Sequence, residues 1–191
     1  TGDISSVVAG TGLSGGGTSG DVTLNVEAAQ SGITSLGTLT ALTVDGTIKL
    51  DGNHPTGTDN VALGDTALDS TTSGNCNTAI GNHAMTANTE GASNVAVGES
   101  ALDANTTGSS QVAIGRNALG ANTTSTGNVA VGAFTLLANT TGGSNTGLGW
   151  QALTANTTAS NNTAVGSLTL LSNTTGTLNT ALGATALDAN T

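Results

Sequence analysis

Aromatic side chains are nearly missing from this chain: Phe134 and Trp150 are the only two among 191 residues. Aromatics supply much of the buried area of ordinary cores. Their absence excludes a conventional globular interior and leaves stability to many small, regularly stacked contacts and to backbone hydrogen bonds. Cations are as scarce, with Lys49 and Arg116 set against a formal net charge of −10. No basic surface exists to neutralise nucleic-acid phosphates or to dock on anionic lipid, so neither nucleic acid nor a membrane is expected as a partner. Cys76 stands alone, which rules out an intrachain disulfide and a cysteine-based zinc cluster; its thiol is expected to pack inside. No apolar run approaches the ~18 residues that span a bilayer. The N-terminus lacks a basic stretch followed by an apolar one. Charged residues make up only 7%, Pro55 is the sole proline, and 36% of residues are hydrophobic, a composition that argues for order over disorder.

What the chain has is a repeat. The glycine closing each N-x-A-[VIL]-G motif recurs at Gly64, Gly81, Gly98, Gly115, Gly132, Gly149, Gly166 and Gly183, a gapless period of 17 residues in eight copies. Helical repeats rarely close in so short a length. Before each glycine, as in Val95-Ala96-Val97, a β-branched residue and an aliphatic one alternate around a small residue, which is the period-two pattern of a strand. Four residues beyond the glycine stands a second aliphatic column, Leu68, Met85, Leu102, Leu119, Leu136, Leu153, Leu170 and Leu187, expected to fill a coil interior together with the Val/Ile/Leu column. These features predict an all-β, parallel β-solenoid (β-roll) over residues 60–191, its last copy truncated. Eight coils at a strand spacing of roughly 4.8 Å make a rod of about 38 Å. The chain starts at Thr1 and stops inside a repeat, which reads as a segment of a longer protein.

The small column Ala62, Ala79, Ala96, Ala113, Ala130, Gly147, Ala164 and Ala181 alternates with the bulky one and is expected on the opposite strand face. A strand apolar on both faces is covered on both, and in a roll without helices the natural cover is another copy of the same rod. The alanines are therefore the predicted oligomer seam. The recurrent asparagines are expected at coil corners, forming hydrogen-bonded ladders. Five lie in N-T-T sequons (Asn105, Asn122, Asn139, Asn156, Asn173), where glycosylation is the competing reading.

The motif N-[SVT]-A-[VIL]-G-x-x-[AS] resembles the head repeats of YadA-like trimeric autotransporter adhesins. Its longer form, N-T-A-V-G-x-x-A-L-x-A-N-T-T-G, is similar to arrays in tail fibres of tailed phages. The resemblance covers residues 60–191 and departs from the pattern in its longer period, at Gln111 for the opening asparagine and at Gly147 for alanine. It implies an intertwined homotrimer, a virion or other extracellular location with a bacterial cell surface as the alternative, and as partners other fibre or tail proteins or a host receptor or glycan.

Residues 1–59 lack the period and read as a β-rich shaft or connector. Gly10 to Gly20 is expected to turn tightly or flex, Val22–Val26 to form a strand, and Ile33–Leu50 to form a hairpin with turns at Gly37 and Asp45-Gly46. No enzyme or cofactor is expected. His54 and His83 are the only histidines, too few for a multi-histidine metal site, and neither stands in a metal-ligand spacing with Cys76 or with the other. Asp65 with Asp69, and Glu99 with Asp103, sit at variable positions of a solvated face. The threonine column Thr72 to Thr191 raises an ice- or glycan-binding solenoid as an alternative, but a flat face would need threonines two apart and these are adjacent. One break in the repeat remains. Phe134, Leu137, Trp150, Leu168 and Leu171 add apolar bulk in coils five to seven, read as compensatory packing or, less favourably, as a docking patch. The favoured function is a structural rod of a phage tail fibre used in host attachment.

Overall fold

The computed structural model describes residues 57–190 together with Val7–Val8, Leu13–Gly17 and Leu24–Val26. Contacts divide the chain into two units, Thr1–Ile48 and Lys49–Thr191. In the first unit, β1 (Val7–Val8), β2 (Leu13–Gly17) and β3 (Leu24–Val26) form an antiparallel sheet in that order. The glycine run expected to turn or flex is thus a strand over Leu13–Gly17. Pairing on both of its edges supplies the ladder that glycine's own low strand preference does not. The predicted hairpin at 33–50 lies outside the described residues.

The second unit is the predicted solenoid. Its strands β4 (Val61–Leu63), β5 (Thr78–Ile80), β6 (Val95–Val97), β7 (Val112–Ile114), β8 (Val129–Val131), β9 (Thr146–Leu148), β10 (Thr163–Val165) and β11 (Thr180–Leu182) make one parallel eight-stranded sheet in chain order. Each residue pairs with the one 17 positions on, as Ala96 does with Ala113. Coils are numbered here from the residue before each strand: coil three runs from Asn94 to Ser110, coil four from Gln111 to Gly127. The arc 57–59 already belongs to the stack, since Thr58 donates its backbone N–H to Asn75 Oδ1 at 2.8 Å.

Only three residues per coil are strand, yet hydrogen bonds run along the axis almost all the way round. In coil three, Val95, Leu102, Ala104 and Thr106 donate their N–H groups to coil four, while Gly98, Ser100 and Ser110 donate to coil two, at 2.8–3.2 Å. The turn after each strand achieves this by visiting the left-handed region at alternate residues. In coil three Ser100 has φ 52° and Leu102 φ 55°. A left-handed side chain of this size costs about 1–2 kcal/mol, and it recurs in every coil, as methionine at Met85 and as leucine in the other seven. Full burial of the same side chain, 0% exposed from Leu68 to Leu170, contributes about 1.5–3 kcal/mol, and the axial bond adds to that. Burial therefore offsets the strain at the residue that carries it.

Inside each coil, leucine from the turn meets alanine from the strand. Ala79, Ala96, Ala113, Ala130 and Ala164 are completely buried within the single chain and Ala181 nearly so, while Ala62 is half-buried against the same core. The alanine column is thus the coil interior, and the expectation that it forms an oligomer seam is corrected. A coil of 17 residues is thin, and the leucines crossing from the opposite arc leave room on the sheet side only for a methyl group. The bulky Val/Ile/Leu column is displaced outward, again opposite to expectation.

The interior also holds two polar ladders. Asn77, Asn94, Gln111, Asn128, Asn145, Asn162 and Asn179 each donate a backbone N–H to the side-chain oxygen of the residue 17 positions earlier, at 2.8–3.0 Å. Gln111 keeps its place because its longer side chain still reaches the Ser125 carbonyl, in the role Asn94 plays toward Gly108. In the second ladder the Nδ2 groups of Asn105, Asn122, Asn139, Asn156, Asn173 and Asn190 donate to the preceding Oδ1 at 2.7–3.3 Å. The five sequon asparagines are 0% exposed, so they are core groups and not corner residues open to a glycan.

Candidate functional site

With alanine inward, the residues on either side of it in each strand face out. The outer face of the sheet is two columns wide. One column alternates between valine and threonine: Val61, Thr78, Val95, Val112, Val129, Thr146, Thr163, Thr180. The other is bulky throughout: Leu63, Ile80, Val97, Ile114, Val131, Leu148, Val165, Leu182. All are half-buried or exposed, with Ile114 at 40% and Leu148 at 47%. No charged residue occurs at either position in eight coils. This uncharged face runs the length of the solenoid in a chain of net charge −10, and apolar surfaces of this kind mark interaction sites.

No family model, curated protein or solved structure matches the chain.

The corner next to the sheet face carries the residues that broke the repeat. Here Trp150 is 49% exposed, while Phe134, Leu137, Leu168 and Leu171 are half-buried within the single chain. Phe134 lies under Arg116, whose guanidinium carbon is 5.4 Å from the ring centroid. Arg116 Nε also pairs with Glu99 Oε2 at 3.2 Å. Both partners are more than half exposed, so the pair contributes well under about 1 kcal/mol. Leu137 leans over Gly120, where an added Cβ would sit 3.4 Å from its Cδ1. Four of the five residues are thus partly accounted for as local packing.

The departure at Gly147 has a specific cause. Coil five places Thr135 where most coils have an inward alanine; the side chain is buried and its Oγ1 donates to the Gly149 carbonyl at 2.6 Å. A Cβ on Gly147 would lie 2.5 Å from Thr135 Cγ2. The threonine is stiff at χ1 and rotating it would break that hydrogen bond. The same step recurs at Thr169 over Ala181, in the edge strand β11 of the described sheet. Gly147→Ala is expected to lower stability by about 1–3 kcal/mol, and in a Thr135→Ala background most of that loss should disappear. Urea melts of the four chains of this cycle measure the coupling; equal losses in both backgrounds would remove the steric account.

The other candidate groups are dispersed. His83 is exposed, with Nδ1 2.8 Å from Thr66 Oγ1. Glu99 is paired with Arg116. No cluster of three or more histidine, cysteine, aspartate or glutamate residues stands close enough to hold a metal among the described residues. Cys76, expected inside, is exposed on a left-handed corner with φ 57°. The threonine column is committed within the rod: Thr72, Thr89, Thr106, Thr123, Thr140 and Thr157 each donate Oγ1 to the carbonyl 17 residues on, at 3.0–3.3 Å. Those hydroxyl hydrogens are directed along the axis and not outward toward ice or sugar. No helix is long and apolar enough to cross a membrane among the described residues.

Proposed function

We propose that this chain is a rigid rod segment of an attachment fibre of the phage tail-fibre type, working as a parallel homotrimer on the outside of a virion. The observation that carries the reading is the uncharged apolar sheet face, unbroken over all eight coils. Such a face needs a partner of equal length and periodicity, and another copy of the rod is the one partner certain to have both. The count of three rests on the resemblance of the N-T-A-V-G-x-x-A-L repeat to trimeric fibres and adhesins. The mechanism is mechanical. Axial hydrogen bonds and asparagine ladders make each coil stiff, association along the sheet face joins the coils of neighbouring copies, and the rod sets the distance between what it carries and what it is anchored to.

Sedimentation equilibrium of the 191-residue chain at micromolar concentration, with circular dichroism alongside, tests the reading. A β-rich species of three chain masses is expected. A well-folded monomer at all concentrations would refute it.

A further inference from the structure

A rod of near-identical coils has a problem that a globular subunit does not. Two copies can slide past one another by one coil and find almost the same surface again. We propose that the valine/threonine column of the sheet face is a register code that holds parallel copies of this chain level; the inference rests on the sheet face being the shared one.

The column is valine in coils one, three, four and five, and threonine in coils two, six, seven and eight. Thr78, Thr146, Thr163 and Thr180 differ from the threonines of the axial column and of the coil interior. The hydroxyls of the axial column from Thr72 to Thr157 are bonded within the chain, as are those of Thr135 and Thr169, whereas the side-chain hydroxyls of these four take no hydrogen bond inside the described chain. When the face is covered, an unpaired hydroxyl loses water and must find a partner. The neighbouring bulky column offers none, because it is leucine, isoleucine or valine in every coil. The only hydroxyls available on the covered face are the same four threonines of another copy, so association is satisfied only when threonine levels coincide. In step, all eight levels match. A slip of one coil sets threonine against valine at three of seven levels, a slip of two at three of six, and a slip of three at four of five. No slid arrangement reproduces the match. This is the polar-layer device by which repetitive assemblies select one alignment.

The experiment uses the full chain with Cys76→Ser and a spin label at Thr141→Cys, an exposed position away from the sheet face, read by pulsed dipolar spectroscopy. One narrow inter-copy distance is expected. Replacing the four threonines by valine should preserve the β spectrum and the native mass but spread that distance into several components, from copies offset along the axis in steps of about 4.8 Å. A single narrow distance in the all-valine chain would overturn the proposal. A second measurement is independent of that variant's behaviour. A chain with Val112→Thr, Val129→Thr, Thr146→Val and Thr163→Val, refolded with tagged native chain, should enter mixed oligomers at least about five-fold less often than random mixing; random mixing would also overturn it. A monomeric native mass for the unsubstituted chain is a different failure and would remove the shared-face reading itself.

Discussion

Asn105→Ala should lower the stability of the solenoid by roughly 3–5 kcal/mol, more than any exposed substitution on the same coil. Asn105 is 0% exposed. Its Nδ2 donates to Asn88 Oδ1 at 2.7 Å and to the Gly108 carbonyl at 2.9 Å, and its Oδ1 accepts from Asn122 Nδ2 at 2.9 Å. Truncation strands Asn88 Oδ1 and Asn122 Nδ2, each losing its partner at about 1–3 kcal/mol, while the Gly108 carbonyl keeps its bond from Asn94 Nδ2, and it leaves a small void besides. Asn105→Leu restores the volume and should fare no better, because the hydrogen-bonding groups stay unsatisfied. Thr107→Ala, two residues on and exposed, with bonds from its backbone but none from its hydroxyl, should change stability by less than about 0.5 kcal/mol. Urea melts followed by circular dichroism compare the three. Because coils interact with their neighbours in series, the asparagine variants should also melt over a broader range as the rod divides into two blocks. Equal melts for Asn105→Leu and the native chain would show that ladder hydrogen bonding is not what holds the interior.

The second large effect separates the inner from the outer column of one strand. Ile114→Asp together with Val97→Asp places carboxylates on the sheet face, where a lone chain exposes them to water but an associated one buries them unpaired. Self-association is expected to weaken by at least about a hundred-fold in Kd, with the β spectrum of the separated chain retained. The neighbouring change Ala113→Leu should act in the reverse way. Ala113 is completely buried, and three extra carbons have nowhere to go between the leucines and the strand, so the coil itself should lose about 1–3 kcal/mol or more. If Ala113→Leu strengthened association and the aspartates left it unchanged, the assignment of the two faces would be reversed.

The fold was legible because its signal is global: a gapless 17-residue period, strand-like alternation and an aliphatic column four residues past each glycine admit few architectures. The face assignment was not legible from alternation, since a period of two says that Ala96 and Val97 point apart but not which points in. Side-chain size carried the missing information. A narrow coil already filled by Leu102 from the opposite arc can take a methyl group and not an isopropyl group. Asn105 shows a second limit. Its place after the aliphatic column suited a polar corner equally well, and only the stacked geometry reveals that a fully bonded asparagine can be as interior as leucine. The meaning of Gly147 depended on Thr135, 12 residues earlier in sequence and in the neighbouring coil, a contact no local pattern records.

The direction of the hydrogen bonds has a mechanical consequence. The covalent chain circles the rod, so along the axis adjacent coils of one copy are joined by hydrogen bonds and packing, with the backbone joining them only by way of its full circuit. Tension applied to the two ends of the chain loads those bonds from the outermost coil inward. A single copy should therefore lengthen in discrete releases of one coil at a time, each freeing roughly 50 Å of chain, and behave as a reel that yields under overload and not as a cable that snaps.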